Sequence, residues 1–373
     1  MTRAEGSTFA VVTGGGTAGH VNPALAVASA LVARGHETSS IHYAGSERGI
    51  EARLVPPTGF PMTLLPGRGI QRKLTPANLA AVGGLLVAFV RALRLLGRLR
   101  PRVVVAVGGY ASAAVALAAV LRRIPVIVAE QNLAPGAANR LIARFARASA
   151  VSFEGTPLPR AVVTGNPIRP EFTALGDGSG RAAARAALGL APERQLLVVT
   201  GGSLGALRIN QATMEALALW RERTDLAVHH VVGRRDWETI SAMVPADLGQ
   251  LAYRAVAYED DMPAVLAAAD LAVCRSGSSM CFELAAMGLP SVLVPSPYVT
   301  ADQQVRNAQL LVDTGGAALV LDAELDGVRL AAEVDALLAD DGRRAAMSAS
   351  VRAWARPHAA DAIAALAEEH ARG

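Results

Sequence analysis

One device occurs twice in this chain, and it constrains the fold more than any other feature. "VVTGGGTAG" (Val11–Gly19) returns as "VVTGGSLGA" (Val198–Ala206), 187 residues later in a chain of 373. Each copy is a β-branched run ending in Val-Val-Thr-Gly-Gly, then a small-residue loop, then an apolar-periodic segment. That order reads as strand, tight loop and helix. A strand–glycine loop–helix unit opening each half predicts two doubly wound α/β domains. Further apolar runs alternate with helical periodicity: Phe9–Thr13, Val103–Val107, Val126–Val128, Leu196–Thr200, Ala227–Val232, Leu271–Cys274 and Ser291–Val294. Continuous β-branched runs separated by helices suit parallel sheets covered on both faces.

The length fits two domains of ~100–200 residues each. With 52% hydrophobic residues but only 4% aromatics, alanine, valine and leucine must fill the cores. The join is expected near "VVTGNPIRPEF" (Val162–Phe172), ahead of the polar "GDGSG" (Gly176–Gly180). The charged, alanine-rich end from about Val351 reads as a terminal helix. In the first helix Asn22 is suited to cap, Pro23 to take the first position and Gly35 to end it.

The formal charge of +4 and pI of about 9.5 rest almost wholly on arginine, Lys73 being the lone lysine. Without aromatic-basic interleaving, this balance does not point to nucleic acid. Cys274 and Cys281 sit in apolar segments with no metal-ligand spacing, as buried thiols of a reducing compartment do. His229 and His230 are neighbours in a strand, so they face opposite ways and cannot easily share a metal. "MTRAEGSTFAVV" has no signal-peptide core. The unbroken apolar stretch Leu79–Val90 has 12 residues, against ~20 for a spanning helix. These features predict a cytosolic protein that can touch a membrane surface.

Three segments carry candidate chemistry. In "TGGSLGALRIN", Ser203 and the glycines let backbone N–H groups approach an anion, and the helix that follows directs its positive end there; plain turn geometry explains the glycines as well. In "DLAVCRSGSSMCFELAAMGLPSVLVP" (Asp270–Pro295), a strand ends at Cys274, "RSGSS" forms a loop, and a helix runs to Met287 before Gly288 and Pro290. Glu283, a turn and a half into that helix, can accept two hydrogen bonds from a vicinal diol, or can be a solvated carboxylate near a helix start. In "YVTADQQVRNAQ" (Tyr298–Gln309), the amides of Gln303, Gln304 and Asn307 suit sugar hydroxyls or capping.

The ordered set "GGGTAGHVNPALAVA", "VGGYAS", "EQN…N", "GNPIR", "GGSLGA", "CRSGSS…E" and "DQQVRNA" spans Gly14 to Asn307. In this the chain resembles the MurG family, the undecaprenyl-diphospho-muramoylpentapeptide N-acetylglucosaminyltransferases of glycosyltransferase family 28. The resemblance implies an α/β GT-B fold: two Rossmann-like domains whose parallel sheets face a cleft. Residues 1–167 would form an acceptor- and membrane-facing domain, 168–350 the UDP-sugar domain, and 351–373 a helix returning to the first. It implies inverting transfer of N-acetylglucosamine from UDP-N-acetylglucosamine to the 4-hydroxyl of the muramoyl residue of lipid I, giving lipid II.

Residue by residue, the resemblance implies that Glu283 holds the ribose diol and that Ser278, Ser279 and Met280 line the phosphate and ribose region. Ser203 and Arg169 would address the diphosphate, and Gln303 and Gln304 the transferred sugar. Backbone near Glu259 in "YEDDM" would read the uracil. Thr17, Ala18, Gly19 and Asn132 would meet donor or acceptor from the N-terminal side. His20 is the first candidate for the base, since imidazole titrates near neutral pH; it could instead orient the loop or bind acceptor phosphate. Glu130 is the runner-up. "YEDDMP" and "LADDG" contain adjacent acidic pairs and no DxD, so neither metal nor cofactor is expected. The chain departs from the family at Ala129, often a histidine, and at "SFEG" (Ser152–Gly155), which lacks a frequent proline.

The acceptor face would include Tyr110 and the segment Gly67–Arg102. There Arg68, Arg72 and Lys73 precede an apolar run with Leu86 and Phe89, and Arg91, Arg94 and Arg98 follow at helical spacing, with Arg122 and Arg123 able to join them. Apolar residues rimmed by cations suit an anionic inner-membrane surface; a core-packed helix with a solvated arginine stripe fits the spacing equally. The family implies a peripheral protein on the cytoplasmic face of the membrane, with other cell-wall synthesis or division proteins as partners. Rival readings are a UDP-N-acetylglucosamine 2-epimerase, a transferase acting on another lipid, and a non-catalytic nucleotide-sugar-binding subunit.

Overall fold

A computed structural model of the chain describes residues 8–66, 76–202, 204–299 and 302–373, with the side chains of 76–82 left out. The chain forms two compact units, Met1–Arg169 with Arg356–Gly373, and Pro170–Ala355. The first contains β1 (Ala10–Gly14), α1 (Ala18–Ala33), β2 (Ile41–Ser46), α2 (Glu51–Leu54), β3 (Met62–Leu65), α3 (Pro76–Leu99), β4 (Val103–Gly108), α4 (Tyr110–Leu121), β5 (Val126–Glu130), α5 (Ala137–Ala143), β6 (Ala148–Val151) and β7 (Ala161–Val163). The second contains α6 (Pro170–Leu175), α7 (Arg181–Ala187), β8 (Gln195–Thr200), α8 (Leu207–Leu219), β9 (Leu226–Val231), α9 (Trp237–Ser241), β10 (Ala252–Val256), α10 (Met262–Ala268), β11 (Leu271–Cys274), α11 (Ser278–Met287), β12 (Ser291–Leu293), α12 (Gln303–Asp313), β13 (Ala317–Leu319), α13 (Gly327–Leu338) and α14 (Asp341–Trp354). The last helix, α15 (Ala359–His370), belongs to the first unit.

Both sheets are parallel throughout, ordered β3-β2-β1-β4-β5-β6-β7 and β10-β9-β8-β11-β12-β13. Each reverses direction beside the strand that carries a glycine loop, at β1/β4 and β8/β11. In doubly wound sheets ligands bind beyond the carboxyl ends of the strands at that reversal. The strand alternation separates the cores. In the first unit Val12, Val103 and Val105 pack with α1 and α15, while Val11, Val104 and Ala106 pack with α3 and α4. In the second, Leu197, Val199 and Val228 pack with α8 and α13.

The terminal helix completes the first core. Ile363, Ala364 and Ala367 are fully buried against it. At the rim, Arg34 binds Asp361 and Glu368, each at 2.8 Å, and His36 Nε2 lies 2.9 Å from Glu368.

One helix differs from the sequence expectation. α1 starts at Ala18, so Asn22 does not cap it and Pro23 lies inside it. Thr17, extended at φ −133° and ψ 161°, ends the loop, and its carbonyl accepts from His20 N and Val21 N. Pro23 therefore forgoes one bond, to the carbonyl of Gly19, rather than starting the helix. Gly35, at φ +102°, does end it. α3 runs 24 residues through Gly83 and Gly84. Pro76 takes its first position, where no N–H is needed, and burial of Ala88, Ala92, Leu95 and Leu96 outweighs the glycines, ~1 kcal/mol each. Among the described residues no helix is long and apolar enough to cross a membrane.

Candidate functional site

In the first unit the site is built where β1 and β4 part. The ladder shifts register between Thr13 and Gly14, bringing Gly14 opposite Gly108. Gly15 N donates to the Gly108 carbonyl at 3.1 Å. Gly108 has φ +123°, and a Cβ there would lie 2.8 Å from His20 Cδ2 and 3.0 Å from Nε2. Only glycine lets the imidazole lie on this strand end. Thr17 Oγ1 is 3.3 Å from His20 Nδ1. Burial pushes the His20 pKa below the usual histidine value, and a bond to the Gly15 backbone offsets part of that. The ring is thus neutral at physiological pH and able to take a proton.

Thr17, the N-cap, and Ala18 and Gly19, the first residues of α1, lie just before His20, with Thr17 and Gly19 exposed and Ala18 half-buried, and Tyr110 opens α4 across the same strand ends, its hydroxyl bonded to Ser46 Oγ. Glu130 is 3% exposed. One oxygen accepts from Asn132 N at 3.0 Å and Nδ2 at 3.2 Å, the other from Gly136 N at 3.1 Å and Asn139 Nδ2 at 2.9 Å. This carboxylate organises the segment after β5 and holds Asn132. As a base it would have to release four bonds, whereas His20 has a single side-chain contact, to Thr17, and one backbone bond, to Gly15.

In the second unit the matching position is the loop after β8. Gly202 N donates to Thr200 Oγ1 at 3.2 Å, and Arg235 Nη2 reaches the Gly205 carbonyl at 3.3 Å. Ser203 lies outside the described residues. Beyond β11, Ser278, Ser279 and Met280 form the first turn of α11 rather than a loop, because Gly277, extended at φ −62° and ψ 146°, already ends it. Their backbone N–H groups sit at the positive end of a helix. Glu283 follows on α11, which stops at Gly288, φ +61°, as the sequence indicates. Gln303 and Gln304 begin α12. The Gln304 side chain accepts from Ser296 N at 2.8 Å, its carbonyl from Ser276 Oγ at 2.8 Å, and Asn307 Nδ2 donates to the Ser276 carbonyl at 3.1 Å. Asn307 is therefore a buried tie between loops, and Gln304 serves partly as one.

Glu259, after β10, accepts from Asp261 N at 3.0 Å and pairs with His229 Nε2 at 3.1 Å. His230 turns the other way, to Asn210 and Tyr253, each at 3.0 Å, as strand alternation requires. Cys274 and Cys281 are free and buried. Arg169, half-buried, is the last residue of the first unit's main segment.

On α3, Leu86, Val87 and Val90 are exposed, while Phe89 is half-buried against the core. Arg91, Arg94 and Arg98 are exposed on the same helix, and the Arg122 guanidinium crosses it at Gly97. Arg68, Arg72 and Lys73 lie outside the described residues.

Two residues of these sites carry no local sequence signal. Arg235 reaches the second glycine loop from the turn after β9. Glu51 reaches the first from α2, its carboxylate accepting from Gly16 N. Only the folded chain brings either to its loop.

The comparisons with known proteins agree with this architecture. Residues 10–151 match the glycosyltransferase family 28 N-terminal domain, and residues 196–365 its C-terminal domain. A UDP-N-acetylglucosamine--N-acetylmuramyl-(pentapeptide) pyrophosphoryl-undecaprenol N-acetylglucosamine transferase of Frankia casuarinae is 43% identical over 97% of this chain and 95% of its own length. The crystal structure of Acinetobacter baumannii MurG superposes with a TM-score of 0.74 at 27% identity, covering 97% of this chain and 99% of that one. The UDP-GlcNAc 2-epimerase of Neisseria meningitidis, solved bound to UDP-GlcNAc, has a TM-score of 0.68 over 95% of this chain and 98% of its own, at 13% identity, which is a likeness of fold alone. With its motifs in order and its relatives matched over almost their whole length, the chain belongs to the MurG family of GT-B glycosyltransferases, within glycosyltransferase family 28.

Proposed function

We propose that this chain transfers N-acetylglucosamine from UDP-N-acetylglucosamine to the 4-hydroxyl of the muramoyl residue of lipid I, with inversion, giving lipid II. The observation that carries this reading is the 43% identity to a curated transferase across 97% of the chain. In one in-line displacement the hydroxyl oxygen bonds to the anomeric carbon as the bond to UDP breaks. UDP leaves with the electron pair, and the hydroxyl proton passes to the base. His20 is that base: its ring is neutral and half-buried at the carboxyl end of the first sheet. Thr17, Ala18, Gly19, Asn132 and Tyr110 surround the reacting sugar and acceptor.

The second unit holds the donor. The loop after β8, with Ser203, the positive end of α8 and Arg169, stabilises the departing diphosphate as preorganised dipoles and charge. Arg235 adds a cation beside that loop. Glu283 takes the ribose diol, the first turn of α11 lines the ribose and phosphate, Gln303 and Gln304 take the sugar, and backbone near Glu259 takes the uracil. The exposed apolar residues and arginines of α3, with Arg68, Arg72 and Lys73 before it, rest on the anionic cytoplasmic surface where lipid I is anchored.

The test is incubation of labelled UDP-N-acetylglucosamine with a lipid I analogue. A product of lipid II type is expected. Formation of the manno epimer from the donor alone would favour the epimerase, and donor binding with no transfer to any lipid would favour a non-catalytic subunit.

A further inference from the structure

Glu51 has no exposed surface, yet it is ionisable and lies beside the first glycine loop. Its Oε1 accepts from Ser46 N at 2.8 Å and from Gly16 N at 3.0 Å. Its Oε2 is buried and has no hydrogen-bond partner among the described residues. Three glycines make room for it. A Cβ at Gly15 would lie 2.7 Å from Oε1, one at Gly45 2.9 Å from Cγ, and one at Gly49 1.7 Å from Oε2. The backbone around it is fixed as well: the Tyr43 hydroxyl donates to the Gly14 carbonyl at 2.6 Å, and Tyr110 bonds Ser46.

A loop of this shape before a helix start is a ready anion site, its N–H groups and helix end both favouring negative charge. Here an internal carboxylate already takes the Gly16 N–H. The loop leads through Thr17, the N-cap of α1, to His20 one turn on. Fixing Gly16 therefore fixes where the imidazole stands. We infer that Glu51 is the positioning residue of the first glycine loop: its carboxylate takes the Gly16 N–H, so the loop serves as a rigid seat for His20. This rests on the transferase reading above and adds a residue to it.

The experiment compares wild type with Glu51→Ala, Glu51→Gln and Gly49→Ala in transfer to a lipid I analogue, with kcat and donor KM measured separately across pH. Glu51→Ala frees the Gly16 N–H. Gly49→Ala leaves Glu51 in the chain but drives its carboxylate aside, so it tests the same contact should Glu51→Ala not fold. Glu51→Gln keeps one acceptor oxygen for Gly16 and Ser46. A shift of the loop by ~1 Å is enough to cost up to ~10²-fold in rate. The expected result is a fall in kcat of about tenfold or more in Glu51→Ala and Gly49→Ala, donor KM within about threefold of wild type, and most of the rate restored by glutamine. The acid limb of the kcat profile, set by His20, should also move in the alanine variants. A folded Glu51→Ala or Gly49→Ala with wild-type kcat and pH profile would overturn the inference, as would a loss confined to donor KM. Absence of lipid II product from the wild type itself would instead overturn the transferase reading.

Discussion

At the residue scale, the proposed chemistry depends on a histidine that the fold keeps neutral. His20 is held neutral by burial at the end of β4, so it accepts a proton without first losing one. Replacing it by alanine or glutamine should lower kcat by ~10²–10⁴-fold with donor affinity little changed, as general-base losses do. Near-normal turnover would refute the assignment. In wild type, kcat should fall as pH drops through the lowered His20 value, because the ring then enters the reaction already protonated. Two other buried histidines bear on stability. Burial, with Arg98 adding to it, lowers the His42 pKa to about 4, and burial, with His229 adding to it, lowers that of His230 to about 3. Both rings are 8% exposed or less, His42 bonded to Thr63 and His230 to Asn210 and Tyr253. The unfolded chain protonates both below about pH 6.5, whereas the folded chain does not until about pH 4 or 3. The unfolded state thus binds more protons in that window, and stability falls as pH falls, by ~1.4 kcal/mol per pH unit for each histidine. Denaturant titrations between pH 7 and 4 should show this slope, and His230→Gln, which can still donate to Asn210, should flatten it. The glycine loops, Glu283 and His20 could all be found in the sequence because each lies in a short motif. Glu51 could not: its bond to Gly16 joins residues 35 apart, and nothing in "GIEARLV" distinguishes a buried carboxylate from a surface one.

At the scale of elements, legibility followed burial. The seven apolar runs read from the sequence all became strands near the middle of a sheet, where both faces are covered. β2 was hidden by His42, Gly45 and Ser46, and β10 by its edge position, where Arg254 is exposed. α15 reads as a helix from composition, but its partners on α1 are more than 300 residues away, as the Arg34–Glu368 bond shows. That helix supplies core side chains, so Ile363→Ala should cost ~2–5 kcal/mol in chemical denaturation of the full chain. Arg34→Ala should cost far less, since water screens its ion pairs. Equal losses from the two would mean that the helix is held by its rim. On α3 the same logic separates Leu86, exposed, from Phe89, packed inward. Leu86→Asp should abolish sedimentation with anionic vesicles while leaving transfer to a water-soluble acceptor unchanged. Binding that survives both this change and high salt would argue against membrane contact through α3.

At the scale of the whole molecule, the chain repeats one plan in two units. Each sheet reverses beside a glycine loop, but the loops have diverged. In the first, an internal carboxylate takes the Gly16 N–H and a histidine stands at the exit. In the second, no carboxylate is bonded to the described loop backbone, and Arg235 approaches it. A donor nucleotide should therefore distinguish the two loops although their sequences are near copies. Hydrogen exchange on the full chain with saturating UDP should slow the amides of Thr200–Ala206, Gly277–Glu283 and Tyr258–Asp261. It should leave Gly14–His20 little changed, because Gly16 N is already bonded in the free protein. Protection scales with the occupancy of the bound state, reaching about 2.7 kcal/mol at a ligand concentration of ~100 Kd. Anionic vesicles should give the complementary map, with slowing along the exposed face of α3 and none in the second unit. Equal protection of both glycine loops by UDP would mean that the first loop also binds nucleotide, and that the carboxylate of Glu51 gives way to it.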